Sequence, residues 1–487
     1  MRCSCILPDP DAEGELVMNE LTISLKPGKQ IPLYEQIYEY IRKEIRRGAI
    51  QSGEKLPSTR ALSRHLEVSR STVELAYEQL LSEGYIEAQP YRGYFAAQIE
   101  GLYQFSGSGQ TQEKREQKAE RTYRYDFTPN GVDLKSFPYN VWRKLSRECL
   151  LDDRAELFRL GNPQGESGLR SAISSYLHQA RGVNCTPDQI IVGAGNDYLL
   201  MLLCAILGSS HRVALENPTY RQAYRLFENL SYEVCTVDMD GKGMRADKLM
   251  ESGADIAFVM PSHHYPLGTV MPIRRRMELL AWAEKTEGRF IIEDDYDSEF
   301  RYKGKPIPAL QGYDGSGKVI YIGTFSKSIA PAIRMSYLVL PQPLYRRYRE
   351  RCGFISSTVS KVDQLILQKF IEEGYYERHL NKMRALYRSR HDTLLSALRE
   401  TVPEPDISGE NAGVHLLLHF RDGRSEEELI RKALEKGVKV YGLSEYYVDG
   451  KEQADTDETV ILLGYANMNE EKIKEAVKLL GEAWANC

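Results

Sequence analysis

Residues 319–337 read VIYIGTFSKSIAPAIRMSY. An apolar run, Val319 to Ile322, gives way to small and hydroxyl residues around one lysine, Lys327, and Arg334 follows seven residues later. The run has the length and composition of a buried strand, and the residues after it allow a turn. The same grammar recurs upstream. QIIVGAG (189–195), RVALEN (212–217), IAFVMP (256–261) and FIIEDD (290–295) are apolar runs that end in small, polar or acidic residues, with helical stretches between them. Strands alternating with helices predict an α/β layer around a largely parallel sheet, and ligands of such sheets bind at the carboxyl ends of the strands. After about Pro341 the pattern turns helical, then strand-like at GVHLLLHF (413–420) and VILLGYA (460–466). That predicts a smaller C-terminal α+β subdomain.

The polar groups at these strand ends form a chemical set. Lys327 is a primary amine flanked by Thr324, Ser326 and Arg334, which can hold a phosphate, the arginine by charge-assisted bonds. Asp294 follows the FIIE run, and Tyr296, two residues on, shares its side of an extended chain. Gly195 and Asn196 open a helix whose amides suit a phosphate. Tyr220, in ENPTY, offers an aromatic face. Pyridoxal phosphate requires this set: a lysine for a Schiff base, a carboxylate to keep the pyridine nitrogen protonated, phosphate donors and a stacking ring. Singly each signal is weak. Glycines in turns are structural, an acid after a strand is more often solvated, and a loop lysine is ordinary. Their joint occurrence, in this order, is what carries the reading. Lys327 is then the Schiff-base candidate.

The first 124 residues differ. Residues 1–17 lack periodicity and read as a disordered tail. From Ile31 the pattern is helical: Leu33, Ile37, Ile41 and Ile45 recur every four residues and Gly48 ends the run. PSTRALSRHL makes a second helix with Ser58 as N-cap. SRSTVELAYEQLLSEG makes a third, capped by Ser69 and stopped at Gly84. Two short extended runs follow around a turn at Pro90 to Gly93. Three helices and a hairpin, over residues 18–97, predict a winged helix-turn-helix. A recognition helix enters the major groove by its N-terminal residues, here Ser69, Arg70, Ser71 and Thr72. Arg70 can pair with a guanine edge and the hydroxyls with bases or phosphate. Arg60 in the preceding helix, and Arg92 and Gly93 at the wing tip, complete the predicted DNA surface. Lys55 and Arg64 add charge, and Glu67 is the single acid between Lys55 and Thr72. Residues 98–124 are rich in Gly, Ser, Gln and charge and read as a linker, with a short helix allowed in EKREQKAER. The remainder, 125–487, is the α/β domain.

At 487 residues the chain exceeds one typical core, and 42% hydrophobic residues with a net charge of -5 is ordinary globular material. That mild acidity requires any nucleic-acid contact to come from a local patch. No run spans a bilayer and no secretory pattern appears, so no membrane partner is expected. The eight cysteines are scattered without zinc or disulfide spacing, which suits a reducing cytoplasm and gives no metal site.

From about Tyr125 the chain resembles the fold-type I aminotransferases, through GNPQGESGLR, VGAGND, ENPTY, PSHHYPLG, IIEDDYDSEF and GTFSKSIAPAIR. LPSTRALSRHLEVSRSTVELAYEQLLSEGYI (56–86) resembles the GntR-type winged helix. Together, in this order, they resemble the MocR/GabR family of transcriptional regulators. The resemblance implies a DNA-binding regulator whose large domain senses a ligand through pyridoxal phosphate, with operator DNA as partner, in a head-to-tail, domain-swapped homodimer. The chain departs from its relatives at four places. Glu74 stands where GntR heads at large often carry arginine, as polar non-arginine residues often do in this subfamily. Tyr265 replaces an asparagine, and Ala332 a common glycine. Asn467, in LLGYANMNEE, stands where aminobutyrate-sensing members keep a carboxylate-binding arginine, with Arg221 the candidate substitute. An asparagine is no bidentate cationic clamp. The expected effector therefore lacks a carboxylate or is pyridoxal phosphate itself, and turnover of ordinary amino acids is not expected. Two alternatives stand: a true aminotransferase carrying a DNA-binding head, and a cofactor-free dimerisation body.

Overall fold

The stripe of Ile37, Ile41 and Ile45 forms the buried face of α1 (Leu33–Arg46) in the computed structural model. The structure describes residues 31–98, 123–151, 155–302, 306–402, 406–448 and 458–485, with a few single positions besides. Residues 1–17, and the residues 99–122 where a linker is expected, lie outside them. The chain divides into two units, Met1–Glu120 and Arg121–Cys487.

In the first unit, α2 (Thr59–His65) is capped by Ser58, whose side chain accepts from the Ala61 amide. α3 (Arg70–Ser82) is capped by Ser69, which accepts from the Thr72 amide. Val73, Ala76, Tyr77 and Leu80 turn inward against α1, and the Tyr77 hydroxyl donates to Pro57 O at 2.9 Å. Gly84 takes φ +74°, a conformation that suits glycine, and ends the helix. The wing is the antiparallel pair β1 (Ile86–Gln89) and β2 (Gly93–Ala96). A winged helix-turn-helix results, as the periodicity predicts.

The second unit opens with β3 (Tyr125–Asp126), α4 (Tyr139–Leu150) and α5 (Ser167–Arg181). The sheet is then built from β4 (Ile190–Gly193), α6 (Asn196–Leu207), β5 (Arg212–Asn217), α7 (Arg221–Asn229), β6 (Glu233–Asp240) and β7 (Gly243–Met244). It continues through α8 (Ala246–Glu251), β8 (Ile256–Val259), α9 (Ile273–Glu284), β9 (Phe290–Asp295), β10 (Val319–Thr324) and β11 (Ser336–Val339). The strand order is β4-β11-β10-β9-β8-β5-β6-β7. The strands β10, β9, β8, β5 and β6 pair in parallel. β11 runs antiparallel between β10 and β4, and β7 antiparallel to β6. The sheet is thus mixed with a parallel centre. The central parallel strands β8, β9 and β10 are buried along their length, which is why they read as continuous apolar runs, whereas β6 toward the sheet edge is mostly half-buried or exposed.

Helices α10 (Gln342–Arg351), α11 (Lys361–Glu372) and the 27-residue α12 (Tyr375–Thr401) lead to the smaller subdomain. There β12 (Asp406–Ser408), β13 (His415–Phe420), β16 (Thr459–Gly464) and β15 (Tyr441–Gly442) form an antiparallel sheet in that order. Helices α13 (Glu426–Glu435) and α14 (Glu470–Trp484) share its core with α12. β14 (Val438–Lys439) pairs with β3, so the first described strand of this unit is tied to its last third. No helix of the described residues is long and apolar enough to cross a membrane.

Candidate functional site

The carboxyl ends of β4, β5, β8, β9 and β10 lie along one edge of the sheet, and the segments leaving them close around a cavity of about 220 Å³. Lys327 enters three residues beyond β10. Its Nζ donates to Asn130 Oδ1 at 3.1 Å. Burial pushes its ammonium down to about 8, with the Asp297 carboxylate opposing. Asp294 reaches the cavity from within β9, which runs one residue beyond it rather than ending before it. Burial, then the neighbouring Asp295 and Asp297 carboxylates, push its carboxyl up to about 7. Among the described residues its hydrogen-bond partner is the Asn196 side-chain amide at 3.3 Å. Strand alternation puts Asp295 on the opposite face, where Arg181 Nε (2.9 Å) and the Tyr321 hydroxyl (2.5 Å) hold it. Tyr296 returns to the cavity side, and its hydroxyl lies 3.0 Å from His263 Nδ1. That nitrogen also lies 2.9 and 3.0 Å from the two Asp297 oxygens.

The opposite corner suits an anion. Gly195 caps α6 at φ +93°, and a Cβ there would lie 2.3 Å from Arg334 Nη2. A side chain at 195 would therefore displace the arginine from the helix start. Arg334, itself left-handed at φ +46°, donates from Nη2 to Asp197 Oδ2 (3.0 Å) and Ala194 O (3.3 Å). Thr324 and Ser326 complete the corner, with the Ser326 amide donating to Thr324 Oγ1. Ser326 Oγ and Asn196 Oδ1 are buried without a partner. The unsatisfied buried Ser326 hydroxyl, which can donate, beside an arginine and a helix start fits a phosphate. A buried carboxylic acid held near neutral fits a cationic ring nitrogen. The residues therefore suit pyridoxal phosphate.

Tyr220 lines the cavity, edge-on to Tyr265 at 6.3 Å between centroids. The Tyr265 hydroxyl accepts from Asn130 Nδ2 (3.0 Å) and lies 2.9 Å from the Tyr446 hydroxyl. Every residue assigned to the cofactor from sequence lines this cavity, save Gly195, which packs against Arg334. Asn130, Asp197, Gln222 and Met260 line it as well, and none of them is assigned a role from the sequence. Asn130 lies in a loop after β3, 197 residues from Lys327, and only the folded chain joins them. Arg221 and Asn467 are not among the lining residues. Arg221 is exposed and donates to Glu445 O at 2.7 Å. Asn467 is exposed, donates to Asp126 O at 3.1 Å, and packs against Gly131 beside Asn130.

In the first unit Arg60, Arg70, Ser71, Arg92 and Gly93 are exposed, and Thr72 is half-buried. The Ser69 hydroxyl is engaged by the cap and lies 2.7 Å from Thr72 Oγ1 and 2.9 Å from Ser71 Oγ. Arg70 Nε donates to Glu74 Oε1 at 2.8 Å. The Arg92 guanidinium lies over the Phe95 ring at 5.7 Å.

Comparison with known proteins agrees with both halves. The bacterial regulatory protein gntR family matches residues 33–95, and aminotransferase class I and II matches residues 130–480. An uncharacterized HTH-type transcriptional regulator, YdeL, of Bacillus subtilis is 41% identical over 96% of this chain and 99% of its own length. The probable rhizopine catabolism regulatory protein MocR of Rhizobium meliloti is 30% identical over 93% and 94%. The HTH-type pyridoxine biosynthesis transcriptional regulator PdxR of Corynebacterium glutamicum is 29% identical over 96% and 99%. Among solved structures, the multiple substrate aminotransferase of Thermococcus profundus superposes with a TM-score of 0.67 at 26% identity, covering 75% of this chain and 92% of that one. A gntR head and an aminotransferase domain in one chain, with relatives matched along almost their whole length, place this protein in the MocR-type family of GntR transcriptional regulators.

Proposed function

We propose that this regulator holds pyridoxal phosphate through Lys327 and reads, at its operator, either the cofactor itself or an amine that joins it. The carrying observation is the cavity's division of labour: a half-buried lysine amine, a carboxyl forced toward neutrality, and an anion corner, all at one sheet edge. Bound pyridoxal phosphate would supply an aldehyde that a primary amine can join covalently. Lys327, already partly neutral, can present its amine. Asp294 would hold a proton on the ring nitrogen by ionising against it. Tyr220 would cover the ring face. Thr324, Ser326, Arg334 and the α6 amides beside Gly195 and Asn196 would hold the phosphate. Tyr296 would orient the ring oxygen.

The effector class follows from what lines the cavity. Its cations are Lys327 and Arg334, and Arg334 is committed to Asp197 and the anion corner. With Asn467 and Arg221 outside the lining, no further cation among the described residues stands ready for an α-carboxylate. This favours the cofactor itself, or an amine without a carboxylate, as signal, and it weighs against turnover of ordinary amino acids. The pyridoxine-biosynthesis regulator among the relatives supports the first choice. The relatives named as HTH-type and catabolism regulators support action on operator DNA; a head-to-tail homodimer in the cytoplasm is what the family resemblance implies.

The test is operator binding by the apo protein with and without pyridoxal phosphate, in the absence of any amine. A large change in affinity supports the cofactor as signal, and no change redirects the search to amines. Rapid multiple-turnover transamination of an amino-acid panel with 2-oxoglutarate would overturn the regulatory reading of the site. A colourless protein that takes up no pyridoxal phosphate would overturn the cofactor reading.

A further inference from the structure

On α3 the residues turned away from the core are Arg70, Ser71, Glu74, Leu75 and Glu78. This face carries one cation and two acids, an unusual balance for a surface that must approach phosphates. Non-specific attraction therefore has to come from Lys55, Arg60, Arg64 and Arg92, and the acids on α3 need another reason. Arg70 and Glu74, one helical turn apart, form an ion pair in a particular way. Glu74 Oε1 takes the Arg70 Nε at 2.8 Å, while the side chains stay 65% and 40% exposed. Among the described residues the two terminal nitrogens of Arg70 and the second carboxylate oxygen of Glu74 make no hydrogen bond, and they stand in the first turns of the helix.

The pair thus offers two donors on one fork and, tied to that fork through Nε, one acceptor. The major-groove edge of a guanine–cytosine pair presents acceptor, acceptor, donor: guanine N7 and O6, then the cytosine amino group. An adenine–thymine pair alternates its groups, and a reversed pair presents them in the opposite order. We infer that Arg70 and Glu74 act as one reading unit for a single G·C pair in one orientation, with Glu74 a specificity-determining residue. Glu74 fixes the arginine fork through Nε and accepts from the cytosine amino group. The carboxylate also penalises binding where no donor faces it, which lowers affinity for arbitrary sequence. The inference rests on the head's DNA-binding assignment.

The experiment is selection from a randomised duplex pool by the full-length protein, wild type beside Glu74→Ala and Arg70→Lys, with bound sequences counted. Arg70 is exposed, Glu74 is half-buried and outside the core cluster, and alanine favours helix, so the variants keep the fold. Wild type should enrich a motif with an oriented G·C pair in each half-site. Glu74→Ala should lower the preference for that pair by roughly 5- to 150-fold while binding mixed-sequence duplex more tightly. Arg70→Lys keeps the charge but loses the fork, so it should lose the same pair and keep the salt dependence. A Glu74→Ala motif identical to wild type at every position would overturn the inference. If wild type itself enriches no motif, the head's assignment fails and the inference falls with it.

Discussion

Asp294 and Lys327 set the pH behaviour of the cavity, in opposite directions. The Asp294 carboxyl is raised to about 7, so the folded protein holds a proton that the unfolded chain releases near 4. Its contribution to stability is fully present below about 4 and is lost as pH rises through 7. Glu293 and Glu299, also raised to about 7 chiefly by burial, act in the same sense. Asp294→Asn should therefore stabilise the apo protein at pH 8, on the order of 2–4 kcal/mol, and flatten the fall in melting temperature between pH 4 and 7. The same change should weaken pyridoxal phosphate binding at least about tenfold, because the ring nitrogen loses its counter-charge. Thermal melts across pH, with and without the cofactor, check both halves. Lys327 is lowered to about 8, so its neutral fraction grows through that pH. Covalent capture of added pyridoxal phosphate, followed by visible absorbance, should accelerate with rising pH and level off above about 8. Lys327→Ala should show no such absorbance. At this scale the chemistry was legible, because each reactive group stands at the end of an apolar run. Asn130 was not, since nothing local marks a loop asparagine as the partner of a lysine 197 residues away.

Elements decide where those groups meet. Gly195 can be only a glycine for two reasons, its φ of +93° and the Arg334 guanidinium 2.3 Å from where a Cβ would sit. Gly195→Ala should push Arg334 off the start of α6 and weaken pyridoxal phosphate at least about tenfold while leaving pyridoxal, which lacks the phosphate, much less affected. Calorimetric titration with the two ligands separates this from general damage. In the head, Ser69 caps α3 by accepting the Thr72 amide. Ser69→Ala should cost about 1 kcal/mol in chemical denaturation, with the helix otherwise kept. The caps, the glycine stop at 84 and the wing follow from local chemistry, so the sequence announces them. β11 has no such announcement. Its residues read as the tail of the lysine segment, yet they slot antiparallel between β4 and β10. That position draws the start of α6 up to Arg334, and it is chosen by backbone pairing rather than by any pattern in the strand.

Across the whole chain, each unit has its own core. Ile37, Ile41, Val73, Tyr77 and Leu80 close the head, and separate clusters fill the second unit. The two should therefore respond separately. Ile41→Ala should destabilise the head by about 2–5 kcal/mol and leave the second unit's melting transition in place. Pyridoxal phosphate at a hundred times its Kd should add about 2.7 kcal/mol to the second unit and leave the head's transition unmoved. Differential scanning calorimetry reads both. What the sequence alone determined is the order of domains, the alternation of strands and helices, the helix caps and the identity of most groups that ring the cavity. Those features depend on residue periodicity and on neighbours a few positions apart. What only the tertiary structure decided is which groups face one another. It supplied Asn130 against Lys327, His263 between Tyr296 and Asp297, and a place outside the cavity lining for both Arg221 and Asn467. Such contacts join segments up to hundreds of residues apart, and their selection depends on how the sheet and its helices pack, which no local pattern encodes.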